Sequence, residues 1–207
     1  MKKILSGLLC FSFLQTALAA QVTVTEDGQY IVPDSSIANP ADAGIKEHTY
    51  IVLFKPNALN SNGLPNGETP ASAACVYGLT KQVPGCPIEG TTALPTGGYG
   101  AVAVVDAYDN PFQESDLNTF LAKFGYPACT TANNCFSVVY AGGSQPAYSA
   151  AWADEHVLDI EWAHAMAPNA KIIEVEAASD STADMLAAVD VASQQAVSYT
   201  HLRAHET

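Results

Sequence analysis

Trp152-Ala-Asp-Glu-His-Val-Leu-Asp-Ile-Glu-Trp-Ala-His-Ala-Met-Ala-Pro168 reads as one helix. Trp152, Val157, Ile160 and Ala163–Ala167 can line an apolar face. Pro168-Asn169 ends it, because the residue before a proline resists the helical conformation. Glu155 and Asp159 stand four apart, so they lie one turn above each other on the same face. Two carboxylates that close repel when both are ionised; one tends to keep a proton, and the pair titrates as a unit. Such a pair suits acid/base chemistry. With Asp154 and Glu161 added, the same text also reads as a solvated acidic face. On spacing alone that plainer reading is the stronger.

Outward from this helix the pattern alternates. Gly100–Ala107 reads as a strand apolar on both faces, as in a parallel sheet covered by helices. Ser115–Phe124 carries Leu117, Phe120, Leu121 and Phe124 at helical spacing, with Gly125 as the stop. Phe136–Tyr140 and Lys171–Glu176 are further strands. Thr182–Gln195 is a helix opened by Asp180-Ser181, with Met185, Leu186 and Val189 expected to be buried. Strand, helix, strand, helix, strand, helix implies an α/β domain with a parallel sheet and right-handed crossovers. Asp106 falls near the C-terminal end of its strand, where open α/β sheets place ligands. A site role and a loop-capping role weigh equally for it, and Asp109 has the same standing with less support. Ser144 in Gly-Gly-Ser lacks the G-x-S-x-G elbow and reads as a loop serine. Gly97-Gly-Tyr-Gly100 precedes a strand rather than following one, so a nucleotide loop fails on topology.

Composition narrows the partners. The 207 residues carry 8 basic and 21 acidic side chains, a formal net charge of −13. That argues against nucleic acid or an anionic membrane as partner. Met1–Ala20 reads as a secretory signal: Lys2 and Lys3, an apolar Ile4–Leu14, then Ala17-Leu-Ala19 for cleavage. The expected location is secreted or periplasmic, with no membrane association after cleavage. Cys10 goes with the signal. Cys75, Cys86, Cys129 and Cys135 remain, an even count that suggests two disulfides with three possible connectivities. Nearest-neighbour pairing, Cys75–Cys86 and Cys129–Cys135, closes short loops and is the expectation. The spacings lack a C-x-x-C pair, which disfavours zinc.

Residues 21–95 read as a β-rich arm followed by loop. Gln21-Val-Thr-Val-Thr alternates, and Thr49-Tyr-Ile-Val-Leu-Phe is a denser apolar run. The connection between them is irregular. Pro56–Gly98 is rich in Gly, Pro, Asn, Ser and Thr and reads as linker, with turn chemistry at Asn62–Gly67.

Four stretches in order carry a resemblance. They are Gly100-Ala-Val-Ala-Val-Val-Asp-Ala-Tyr-Asp-Asn-Pro111, Phe124-Gly-Tyr-Pro-Ala-Cys-Thr-Thr-Ala-Asn-Asn-Cys-Phe136, Glu155-x-x-x-Asp159-Ile-Glu-Trp-Ala-His-Ala-Met-Ala-Pro168 and Ala170-Lys-Ile-Ile-Glu-Val-Glu-Ala177. Together they resemble the sedolisin family, serine-carboxyl peptidases with a subtilisin-like fold. The resemblance spans about Thr96–Ala196. It implies a partial subtilisin-like parallel sheet and a peptide or protein substrate, with Glu155 as base to a serine and Asp159 as its supporting acid. It also implies a monomer at full length, and a calcium ion for the full domain though no cofactor here.

The chain departs from the family in three places. The segment before Gly100 is short for the family's pro-region. Residues 197–207 resemble translated sequencing adapter and are set aside as a non-native tail; His201 and His205 there would be half a metal site at most. The family's Gly-Thr-Ser nucleophile is missing from the text, so the expectation is the N-terminal part of a peptidase, inactive alone. Three alternatives stay open. One is a non-catalytic secreted α/β domain binding a protein or peptide. Another is a subtilisin-type enzyme using Asp106, although His156 and His164 lack the His-Gly-Thr setting and read as exposed or hydrogen-bonded helix histidines. The third, a two-carboxylate glycosidase, fits poorly with acids on one helix turn.

Overall fold

The computed structural model describes residues 20–58 and 67–195, and the backbone of 199–202. The signal segment, most of the Asn62–Gly67 turn and His205 lie outside the described residues. The chain is mixed α/β. Four parallel strands form one sheet: β4 (Ala101–Ala107), β5 (Phe136–Tyr140), β6 (Lys171–Ala177) and β7 (Tyr199–Leu202), in the order β5-β6-β4-β7. Between them run α2 (Gln113–Phe124), α3 (Ala150–Met166) and α4 (Thr182–Gln194). The stretch set aside as a tail thus supplies the backbone of β7, which covers the β4 edge.

Period-two alternation splits the strands between two cores. Ala101, Ala103, Val105 and Ala107 join Ile173 and Val175 against Met185, Ala188 and Ala192 of α4. Val104, Phe136 and Ile172 face the other way, onto Leu117 and Leu121 of α2 and Ile160 of α3. Ser181 opens α4 with its hydroxyl accepting from the Asp184 amide at 3.1 Å, and Gly125 closes α2 in the left-handed conformation. Leu186 differs from expectation. It is exposed, because it sits more than a quarter of a turn off the Met185–Ala188–Ala192 stripe.

The N-terminal arm differs more. A three-stranded antiparallel sheet forms from β1 (Gln21–Val24), β2 (Gly28–Val32) and β3 (Leu53–Pro56). The middle strand, β2, lies in the connection read as irregular. The run from Thr49 becomes strand only at Leu53. Before that, the Thr49 hydroxyl is held by Ser35 and Ser36 at 2.7 Å each, and the Ile51 amide donates to Ser36 Oγ at 3.1 Å. Side chains have taken the groups a ladder would use. The supposed linker contains a helix, α1 (Pro70–Val76). Its capping box joins Thr69 and Ser72, with Pro70 at the first helical position.

The arm is stitched to the main sheet layer. Ser35 Oγ donates to the Ala151 carbonyl at 2.5 Å, the Glu47 amide to Asp180 O at 2.7 Å, and the Thr182 hydroxyl to Glu47 at 2.8 Å. Both expected disulfides are present, Cys75–Cys86 and Cys129–Cys135. No helix among the described residues is long and apolar enough to cross a membrane. Both features are compatible with an exported protein.

Ile160 is fully buried between α2 and the sheet, so Ile160→Ala should cost about 2–5 kcal/mol in a denaturant melt. Leu186→Ala should stay within about 0.5 kcal/mol. Non-reducing peptide mapping should return the two short-loop disulfides; a Cys75–Cys129 peptide would contradict the structure.

Candidate active site

The same alternation that builds the cores places acids in one layer. Val104 faces α2 and α3, so Asp106, two residues on, faces them too. On β6, Ile172 shares that side, and Glu174 and Glu176 follow at the same period. Register aligns Val104 with Glu174 and Asp106 with Glu176. Across this layer lies α3. Its buried side carries Trp152, Glu155, His156, Asp159 and Ile160.

Glu155 is 1% exposed and Asp159 is 7% exposed. The solvated-face reading is therefore wrong for these two. They lie on the inner side of the helix, near enough to Asp106 that both push its carboxyl further up. Asp154 and Glu161 do point elsewhere. With Val157 and Leu158 they line a pocket of about 430 Å³ against Tyr50–Phe54. Even so, Glu161 is not a plain surface charge: burial, reinforced by Asp116, pushes it up to about 8.

Asp106 is no loop cap. It is 1% exposed, and among the described residues neither carboxylate oxygen has a hydrogen-bond partner. Burial holds it well above the ordinary carboxyl range, and the Glu174 charge adds to that. Burial likewise raises Glu174, against the opposing pull of His156. His156 is completely buried. Its Nδ1 lies 3.3 Å from Glu174 Oε1, and its Nε2 lies 3.0 Å from the Ala107 carbonyl. Burial alone would lower the imidazole, but Glu174 and Asp106 outweigh it and hold His156 at about 10. The next acid along β6, Glu176, accepts from Gln113 Nε2 at 2.8 Å, and burial lifts it to about 8.

The structure thus joins Asp106, Glu155 and Asp159, which the sequence singles out. It adds His156, which reads in the sequence as an exposed or hydrogen-bonded helix histidine, and Glu174, Glu176 and Gln113, which the sequence does not single out. A signal for two of them exists. A central strand of a parallel sheet is expected to be continuously apolar, and Lys-Ile-Ile-Glu-Val-Glu-Ala carries two acids at period two. Asp109 is buried at the edge of this layer, where its charge adds to the raising of Glu176, and Gln145 Nε2 donates to it at 3.1 Å. Ser144 is exposed on its loop, and of the two readings open for His164 the hydrogen-bonded one holds: it is buried and paired with the Ala170 backbone.

Two backbone features stand at opposite ends of β4, Tyr108 just beyond its C-terminal end and Gly98 before its N-terminal end. Tyr108 adopts φ 69°, a left-handed conformation uncommon for an aromatic residue, and its hydroxyl donates to Asp180 at 3.1 Å. Gly98 packs so tightly on the end of α3 that a Cβ would fall 2.5 Å from the Ala167 Cα. A scan against protein-family models, a search of curated proteins and a search of solved structures each find no match.

A carboxyl whose folded pKa is raised keeps its proton more readily folded than unfolded. Its stabilisation is full below the unfolded value and is lost as pH rises through the folded one. For Glu161 that window runs from its ordinary 4.5 up to about 8. The melting temperature should therefore fall across that interval. Glu161→Gln should flatten part of the decline; an unchanged slope would show that Glu161 ionises freely.

Proposed function

We propose that this chain belongs to an exported serine-carboxyl peptidase with a subtilisin-like catalytic domain, in which Glu155 is the general base and Asp159 its supporting acid. One observation carries the reading: two acids four apart on α3 are turned inward, beside Asp106 at the C-terminal end of a parallel strand. That is where such sheets place their chemistry. The sequence resemblance over Thr96–Ala196 supports the same roles.

In this reaction a serine hydroxyl attacks the peptide carbonyl. The Oγ–C bond forms as Glu155 takes the hydroxyl proton; the proton then goes to the leaving amine as the C–N bond breaks. Water, deprotonated by the same carboxylate, releases the acyl group. A carboxylate can serve as base only where its surroundings raise its basicity or the working pH is low. Acids packed around α3 favour the first condition, and an acidic medium the second.

The subtilisin-type alternative is less well supported. Asp106 and His156 do come together, but both imidazole nitrogens are committed. Nε2 faces the Ala107 carbonyl and Nδ1 is turned into the buried Glu174 and Asp106 carboxylates. Neither nitrogen faces a place where a serine could stand.

In the full-length gene product, Glu155→Gln should lower kcat/KM by about 10²–10⁴-fold with the fold intact, the usual worth of a general base. Asp159→Asn should lower it less and move its pH dependence, because removing one charge of a close pair shifts the other's titration. Asp154→Asn should change little. A wild-type rate in Glu155→Gln would remove the peptidase reading in favour of a secreted binding domain.

A further inference from the structure

We propose that Asp106, His156 and Glu174 form a buried site for one divalent first-row transition ion of the zinc or manganese type. The three residues come from three elements, β4, α3 and β6. One potential ligand atom from each lies within 4.8 Å of the other two, and His156 Nδ1 is 3.3 Å from Glu174 Oε1. Atoms bound to one ion at about 2.0–2.2 Å sit roughly 3–4.4 Å from each other. Small side-chain rotations would close this group on an ion.

The free valences point inward. All three side chains are 1% exposed or less. Among the described residues, the two Asp106 oxygens, the two Glu174 oxygens and His156 Nδ1 accept or make no hydrogen bond, the nearest approach being the 3.3 Å between His156 Nδ1 and Glu174 Oε1. Buried polar atoms are ordinarily satisfied, and an ion taking one atom from each residue would satisfy three at once.

The imidazole is oriented for the task. The Ala107 carbonyl can only accept, so His156 Nε2 carries a hydrogen. An ion binding at Nδ1 would displace the proton that the metal-free imidazole holds there, leaving the Nδ1 lone pair turned toward the two carboxylates. A histidine that donates its far N–H to a backbone carbonyl, with its near nitrogen free, is the usual outer-shell arrangement of a metal ligand. A dipositive ion would also cancel the charge of Asp106 and Glu174 together.

The donor set selects the ion. One nitrogen with carboxylate oxygens suits zinc or manganese, and the absence of thiolate from this group disfavours copper(I). Calcium takes six to eight oxygens, so the calcium implied by the family resemblance does not fit here. Cys129, Cys135 and His164 also lie close together, but their sulfurs are tied in a disulfide. The site is closed to solvent, so the ion would be structural, joining β4, β6 and α3. The inference does not rest on the peptidase reading.

The test uses the full chain with its disulfides formed. It is loaded with Zn²⁺ or Mn²⁺, desalted, and its metal counted by elemental mass spectrometry, with a thermal melt before and after a chelator. About one equivalent should be retained, and the melt should fall when the chelator removes it. A chain that melts cooperatively only after loading would support the site equally. Asp106→Asn and Glu174→Gln should each lose the ion, while His48→Gln, on the arm, should keep it. A wild-type chain that melts cooperatively yet retains neither metal would overturn the proposal, whatever the variants do. So would an ion that survives Asp106→Asn combined with Glu174→Gln, or one lost with His48→Gln.

Discussion

Acids buried between a sheet and a helix set the strictest demand on this fold. Asp106, Glu155, Asp159, Glu174 and Glu176 are each 7% exposed or less, and all belong to the layer between β4, β6 and α3. Removing an ionised carboxylate from water costs several kcal/mol even after relaxation, so such groups keep protons, pair, or bind ions. His156 answers part of the demand from within the helix, and Gln113 answers another part from α2. Each contact works only if α3 keeps its rotation and height over the sheet. One residue of helix rotation would move Glu155 through about 100° and out of the layer.

The fastening of α3 follows from that need. At its N-terminal end the Ala151 carbonyl accepts from Ser35 of the arm. Along its length Ile160 packs with Leu117, Leu121 and Phe136. Near its C-terminal end the Ala165 carbonyl accepts from the Tyr126 hydroxyl at 2.9 Å, and Gly98 lies against Ala167. Beyond it, Asn169 Nδ2 donates to the Thr96 carbonyl at 2.6 Å. Distant parts of the sequence thus converge on one helix.

Much of the main layer is legible from local pattern. The β4, β5 and β6 spans, α2, α4 and their caps follow from period, Gly125 and Ser181. Both disulfides follow from the short spacing of an even set of cysteines. What escapes depends on partners remote in sequence. Nothing local distinguishes Glu174 in a strand from an exposed edge acid; only the register with Val104 and the helix above bury it. Two inward acids on α3 likewise look like surface charge until the sheet beneath them is known. In the arm, β2 needs β1 and β3 on either side, and α1 rests on a capping box in text that otherwise resembles linker.

Buried acids, inside the layer and on the outer side of α3, also tie stability to chemistry through pH. Glu161 and Glu176 sit near 8 because burial favours their neutral forms. Raised carboxyl values make a folded state strongest in acid and progressively weaker as neutrality forces ionisation. A serine attack assisted by a carboxylate is also best served in acid, where a neutral carboxylic acid can return the proton to the leaving amine. A fold that buries its acids so densely is therefore steadiest under the conditions in which the proposed reaction would run. Inside the layer His156 supplies one positive charge, facing Glu174. The divalent ion proposed for Asp106, His156 and Glu174 would replace the imidazole proton and neutralise both carboxylates, which surface charge outside the layer could not do.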